Sequence, residues 1–269
     1  MKFIKTIILN LGMLSLASFY LSCNRETPQV GSMRGVTINS TVQVFSATLK
    51  AARNYIYVDG VPVSGATFGY QGVFPGTAYS FSIDGNTHTF LIKDTLPATT
   101  QVPLTFTQTL APGSNYTIFT YDTVTSAKQL TVTNNIVIPK DTTCRLRFAN
   151  FVYNPTVIPA VDVYSFRRIP GTPVFVVTPV LNSPNVLAPS FAGTVPLFSN
   201  VGTTEVTQFV PYASALTDTL YIFAAGTSSP LIAKGFVTSL TPSRSYTTVY
   251  NGSYRGAIGT RALTTFATY

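Results

Sequence analysis

The sequence predicts an all-β protein made of two tandem β-sandwich domains, and three observations predict it. Short runs that alternate apolar and polar residues recur along the chain, separated by Gly, Pro, Asp and Asn. After the first 22 residues no stretch of useful length shows the three-and-four apolar spacing of an amphipathic helix. One octet occurs twice: Leu110-Ala-Pro-Gly-Ser-Asn-Tyr-Thr117 and Leu240-Thr-Pro-Ser-Arg-Ser-Tyr-Thr247 agree at four of eight positions.

The chain opens with Lys2 and Lys5 ahead of an apolar run, Ile7 to Leu21, of about 15 residues. A spanning helix needs roughly 20, so residues 1–22 read as a signal peptide. Tyr20-Leu21-Ser22-Cys23 resembles a bacterial lipobox, with Tyr20 where leucine is usual. That resemblance implies cleavage before Cys23 and acylation of its thiol. The acyl chains would hold the protein on a membrane, each buried methylene contributing about 0.8 kcal/mol. The alternative is an ordinary cleavage site, with a disulfide between Cys23 and Cys144. Residues 23–40 are polar and unpatterned, and read as a lipidated N-terminus and tether.

Residues 41–139 read as the first sandwich. Val42 and Val44 alternate against Gln43, and Asp59-Gly60 is a two-residue hairpin signal between Tyr55-Ile-Tyr-Val58 and Val61-Pro-Val63. Tyr79, Phe81 and Ile83 alternate with Ser80 and Ser82; Asp84-Gly85-Asn86 then turns the chain back into His88 to Ile92. Leu104 to Leu110 places Thr105, Thr107 and Thr109 outward, and Tyr116 to Tyr121 and Leu130 to Ile138 follow. About seven short strands in about 100 residues are what a sandwich requires. Pro139 to Thr143 interrupts the pattern and marks the boundary.

Residues 140–269 read as the second sandwich. Cys144, Leu146 and Phe148 share one face of its first strand, Arg145 and Arg147 the other, which is read as a solvated basic surface. Ala160-Val-Asp-Val-Tyr164 answers Asn54 to Val58, and each octet precedes the penultimate strand of its module, so the fold is duplicated. An insertion, residues 178–204, carries Pro179, Pro184, Pro189 and Pro196 with little alternation.

Arg145-Leu-Arg-Phe-Ala-Asn150, Pro155, Ala160 to Tyr164 and Leu240 to Thr247 resemble a family of bacterial secreted proteins and lipoproteins of the Bacteroidetes type, that of domain of unknown function 4397. The first module is similar at Tyr57-Val-Asp-Gly60 and Phe74-Pro-Gly76 but lacks the Asn-x-x-x-x-Pro element, as a degenerate copy would. The resemblance implies immunoglobulin-like sandwiches in a cell-envelope protein. It carries over no catalytic residue.

Composition narrows the function classes. Charged residues are only 10% of the chain, against roughly 25% in typical soluble domains, so Ser, Thr, Asn, Gln and Tyr must cover the outer faces. Removing Lys2 and Lys5 from 17 basic residues leaves 15 against 9 acids, a net charge of +6. These charges are scattered, which speaks against nucleic acid as a partner. The sole histidine, His88, beside a turn, is expected to be an exposed strand-end residue; no Gly-x-Ser-x-Gly elbow accompanies it. Ligands for a zinc site are lacking, and no cofactor motif is present. Asp162, inside a strand, reads as a structural hydrogen-bond acceptor, and Cys144 as a buried apolar residue. Asp94-Thr95, Asp122-Thr123, Asp141-Thr142 and Asp218-Thr219 are similar to the Asp-Ser/Thr-apolar O-glycosylation acceptor of Bacteroidetes, making Thr95, Thr123, Thr142 and Thr219 candidate sites; Thr143 departs from the apolar third position.

The expectation is therefore a non-catalytic outer-membrane lipoprotein on the cell surface or periplasmic face, binding or structural, with a membrane anchor and a protein or glycan partner. Two alternatives differ in class. A glycan-binding accessory lipoprotein of a nutrient-uptake system requires tyrosines gathered on one exposed face. A pilin- or adhesin-like subunit requires a missing strand.

Overall fold

The computed structural model describes residues 38–154, 156, 158–168, 175–178, 185–186, 195–213, 218–227, 231–237, 240–254 and 261–268. The leader, Cys23 and most of the tether fall outside them, as does much of the insertion 178–204. Among the described residues twenty strands form four sheets and no helix occurs, and buried cores lie between paired sheets, so the all-β, sandwich reading holds.

The first outer sheet has the order β3 (Val61–Pro62), β2 (Asn54–Val58), β6 (Thr87–Asp94), β7 (Leu104–Thr109). The first inner sheet is built around β1 (Asn39–Ser46). One side of β1 pairs antiparallel with β4 (Val73–Phe74) and β5 (Phe81–Asp84). The other pairs in parallel with β8 (Asn115–Tyr121), which carries β9 (Lys128–Thr133) at the edge.

The second inner sheet repeats this plan. Its central strand β10 (Thr143–Asn150) has β15 (Glu205–Val206) and β16 (Val210–Ala213) on one side. On the other lies β19 (Ser245–Gly252), again parallel, followed by β20 (Arg261–Thr268). The second outer sheet runs β13 (Asn185–Val186), β12 (Phe175–Thr178), β11 (Val161–Arg168), β17 (Asp218–Ala224), β18 (Ala233–Val237). There β14 (Phe198–Val201) also pairs with β11, so part of the insertion read as unpatterned is a strand.

Register makes the duplication residue-specific. Phe45 lies opposite Val73 and Phe119, and Ala149 opposite Val206 and Val249. Ser46 lies opposite Thr120, and Asn150 opposite Tyr250. The repeated octet has a physical purpose. The Ala111 N–H donates to Tyr116 Oη, and the Thr241 N–H to Tyr246 Oη, each at 2.8 Å. This is the tyrosine corner of immunoglobulin-type sandwiches. The corner needs a left-handed residue, met by Gly113 (φ 75°) in one copy and Ser243 (φ 60°) in the other.

Alternation fills a core inside each sandwich. Val42, Val44, Ile56, Phe90, Ile92 and Ile118 are buried in the first. Cys144, Leu146, Phe148, Val161, Val163, Leu220 and Ile222 are buried in the second, where Cys144 Sγ lies 3.4 Å from the Tyr212 carbonyl oxygen. A third core lies between the two inner sheets, from Phe45, Ala47, Phe119, Ala149, Phe151, Val249 and Phe266. Phe45 stacks on Phe266 at 5.2 Å between centroids, and Phe119 on Phe151 at 4.8 Å. Residues 38–269 thus form one compact unit, with the inner sheets covered on both faces.

That third core corrects the reading of Arg147. Its face of β10 is not solvated but lies under the first inner sheet, and Arg147 is only 2% exposed. Its Nε donates to Thr247 Oγ1 at 2.8 Å and its Nη2 crosses to Thr117 Oγ1 at 3.2 Å, while the guanidinium lies 4.6 Å from the Phe209 ring centroid. Burial pulls its pKa down to about 9, leaving the cation charged at neutral pH. Among the described residues no carboxylate forms an ion pair with it.

A buried charge without a counter-charge is held at a cost that apolar replacement removes. Arg147→Met is therefore expected to match or exceed the parent in thermal unfolding. Arg147→Ala, which leaves a cavity, should lose about 2–4 kcal/mol. Equal losses in both would refute this account of the interface.

Candidate functional site

The first outer sheet turns one face to its core and the other to solvent. On β2 the alternation Asn-Tyr-Ile-Tyr-Val buries Ile56 and Val58 and sends Tyr55 and Tyr57 outward, both half-exposed. On β6 it sends out Leu91 and Lys93, and on β7 the exposed Thr105, Thr107 and Thr109. The Tyr55 and Tyr57 rings lie 6.5 Å apart at 41°, and the Lys93 ammonium sits 4.9 Å from the Tyr57 centroid. That cation–π contact restrains the ring at little entropic cost, a tyrosine having few torsions to fix.

A wall rises beside this floor where the chain leaves β6. Asp94, with 5% of its side chain exposed, accepts from the Leu96 N–H at 3.0 Å and from Thr99 Oγ1 at 2.9 Å, and pairs with Arg53 at 3.1 Å. The Leu96 N–H above all, with Arg53 and Thr99, holds its carboxyl below the usual carboxylate range. Buried Gln101 ties the far end of the loop by donating to Asn54 Oδ1 at 2.6 Å. Floor and wall enclose a groove of about 650 Å³, lined by Tyr55, Tyr57, Lys93 and the loop from Thr95 to Pro103. Its chemistry suits a ligand with an apolar face and a hydroxylated edge: two phenol rings below, and an ammonium, hydroxyls and a fixed carboxylate around them.

Most residues singled out from the sequence lie elsewhere. Thr95 is exposed on the groove wall, and Thr142 is exposed before β10. Thr123 is half-buried, its Oγ1 3.2 Å from that of Thr125. Thr219 is half-buried inside β17, between β11 and β18, and Asp218 beside it is buried under Tyr212 Oη at 2.6 Å. The four threonines are thus not gathered, and Cys23 lies outside the described residues. Asp162 is the structural acceptor expected, taking the Asn200 N–H at 2.8 Å and the Gly226 N–H at 2.7 Å. Sequence alternation marks Tyr55 and Tyr57 as strand residues only. Aromatic residues at both outward positions of one short strand were the available signal.

His88 is a second correction. It alternates with Phe90 and Ile92 on the inward face of β6 and is 5% exposed. Its Nδ1 lies 2.7 Å from Asp59 Oδ2 and its Nε2 2.9 Å from the Asp84 carbonyl oxygen, so one ring clamps two hairpin turns. Among the described residues no cluster of three His, Cys, Asp or Glu could hold a metal ion.

No family model matches the chain, and no curated protein does. Among solved structures it is similar to a family 26 carbohydrate-binding module of Amy13K from Eubacterium rectale in complex with maltoheptaose, at 12% identity over 84% of this chain and 95% of that one, with a TM-score of 0.26. It is also similar to family 41 carbohydrate-binding modules from streptococcal virulence factors, a structure of alpha-glucan recognition, at 12% identity over 78% and 92%, with a TM-score of 0.26.

The His88 clamp sets a pH dependence. Burial alone would depress the imidazole, but Asp59 and Asp84 outweigh it and raise the pKa above 6.5. The bond to His88, then the Thr89 N–H, lowers Asp59 below 3.8. The clamp's contribution is therefore whole between those two ordinary values, fading as pH rises through the raised histidine pKa or falls through the lowered aspartate pKa. Tm is expected to decline from pH 6 to pH 9, and His88→Gln should flatten that decline. A wild-type profile already flat over the range would contradict the clamp.

Proposed function

We propose that the chain is a non-catalytic glycan-binding protein of the cell envelope, capturing saccharide on the Tyr55–Tyr57 groove. The observation that carries this reading is the pairing of two half-exposed tyrosine rings on one outer strand, beside a loop fixed by Asp94 and Gln101. The C–H face of a pyranose would lie on a phenol ring, as apolar surface does on any aromatic plane. Lys93 and Thr99 would meet ring hydroxyls at the groove's edge. Strand donation is the weaker alternative: among the described residues β1 and β10 are each paired on both sides.

Titration of the full mature chain with a panel of oligosaccharides tests the reading. Tyr57→Ala should weaken the best ligand about tenfold, the equivalent of roughly 1.4 kcal/mol, and Tyr55→Ala should act in the same direction. Unchanged affinity in both would remove the groove as the site.

The leader pattern and the family resemblance support residence as an outer-membrane lipoprotein anchored through Cys23, on the surface or periplasmic face. Mass spectrometry of the native N-terminus should find Cys23 acylated, and protease shaving of whole cells should distinguish the two faces. An unmodified Cys23 would remove the anchor and bring the disulfide with Cys144 back into question.

A further inference from the structure

The duplication supplies an internal control for a cavity at the junction of the two sandwiches. By register Tyr70 and Gln71, before β4, correspond to Thr203 and Thr204, before β15. The Gln71 N–H donates to the Ser46 carbonyl at 2.7 Å, and the Thr204 N–H to the Asn150 carbonyl at 2.7 Å. Both residues have φ 63°. By the same register Asn251, next to the end of β19, corresponds to Tyr121, ending β8.

At one junction the long side chains close the gap. Tyr70 Oη donates to Asn251 Oδ1 at 2.7 Å, and Gln71 Nε2 donates to the same oxygen at 3.0 Å. At the other, two threonines stand where the tyrosine and glutamine would, and a cavity of about 420 Å³ remains. Thr204 keeps a left-handed backbone that a β-branched residue rarely adopts. The turn has thus kept its shape while its side chains no longer fill the junction.

We propose that this cavity is a binding site for one polyhydroxylated ring, a single sugar residue, seated where Tyr70 and Gln71 sit in the other copy. The half-buried Tyr121 ring, backed by buried Phe151 at 5.3 Å and 31°, forms an aromatic wall for its C–H face. Asp122 and Lys128, paired at 2.8 Å, and the Thr203 and Thr204 hydroxyls supply acceptors and donors around the rim. A partner's phenol side chain would match the wall but leave that rim largely unanswered, so the observations favour the polyol. The volume is in the ordinary range for small-ligand pockets. Both sandwiches contribute, so occupancy depends on the third core holding them in register. The site shares the ligand class of the outer groove but none of its residues.

The test restores the missing side chains. Thr203→Tyr with Thr204→Gln should fill the cavity, leave Tm unchanged or raised, and lower affinity for a monosaccharide panel at least tenfold, followed by saturation-transfer NMR and the Tyr121 resonances. Lys128→Ala, at an exposed position, should weaken binding in the same direction without touching the fold. Tyr57→Ala separates the two sites: it should leave the Tyr121 response intact. Undiminished sugar binding in the filled variant, no sugar in the panel perturbing Tyr121, or a response to N-acetyltyrosinamide alone would each overturn the assignment. Loss of binding in Tyr57→Ala only would support the outer groove and sink this one.

Discussion

The inner sheets are buried on both faces, and the rest of the structure follows from that. A strand with one wet face needs only half its side chains to fit. Here most side chains of β1, β8, β10 and β19 must suit either their own sandwich core or the neighbour's sheet. Apolar residues meet this directly at Phe45, Phe119, Val249 and Phe266. Some polar ones meet it by bonding: buried Gln43 donates across the interface to the Ala267 carbonyl at 3.1 Å, and Arg147 crosses to Thr117 from the corresponding position of β10, whereas Gln43 Oε1 and Ser46 Oγ are buried with no hydrogen-bond partner among the described residues. Groups left unbonded there would cost about 1–3 kcal/mol each, so polar registration specifies how the sandwiches meet while stacked phenylalanines supply most of the attraction.

Much of the fold was legible because strands carry a period of two and turns carry their own chemistry. Asp59-Gly60, the Ala111-Pro112-Gly113 corner and the outward threonines of β7 each announce themselves locally. The repeated octet was legible for a stronger reason, since a tyrosine hydroxyl bonding five residues back needs fixed spacing. Alternation, however, separates two faces without saying what covers either. Arg147 and His88 were therefore assigned to water, the first from a basic pair and the second from its place beside a turn. Only the meeting of the inner sheets buries Arg147, through a contact with Thr117 that lies 30 residues away in sequence and on a different sheet. His88 was recoverable, because it keeps step with Phe90 and Ile92.

The groove residues were harder to see for the same reason. Tyr55 and Tyr57 satisfy the strand pattern whether their face is solvated or packed, and the corresponding strand shows the other outcome. On β11, Tyr164 and Phe166 point away from the second core, yet they are buried with Phe223. Two copies of one strand thus bear aromatic residues on the outward face, exposed in one and covered in the other. Sequence alone gives both the same reading.

Duplication with unequal filling is the thread that joins these observations. A two-sandwich fold presents each surface twice, and stability is served when both are closed. Where one copy closes a surface with its own side chains and the other leaves it open, as at the junction, the shared turn does not dictate the difference, because Gln71 and Thr204 have the same φ and the same backbone bond. Among the described residues the outer aromatic strand is open in the first sandwich and covered in the second, and the junction is open at Thr203 and Thr204 and closed at Tyr70 and Gln71. In each place the closed copy displays the chemistry that fits there: rings packed on rings at β11, and a phenol with a carboxamide bonded to Asn251. The open copies present aromatic surface edged with hydroxyls and charged groups, which is the complement of a sugar's two kinds of face.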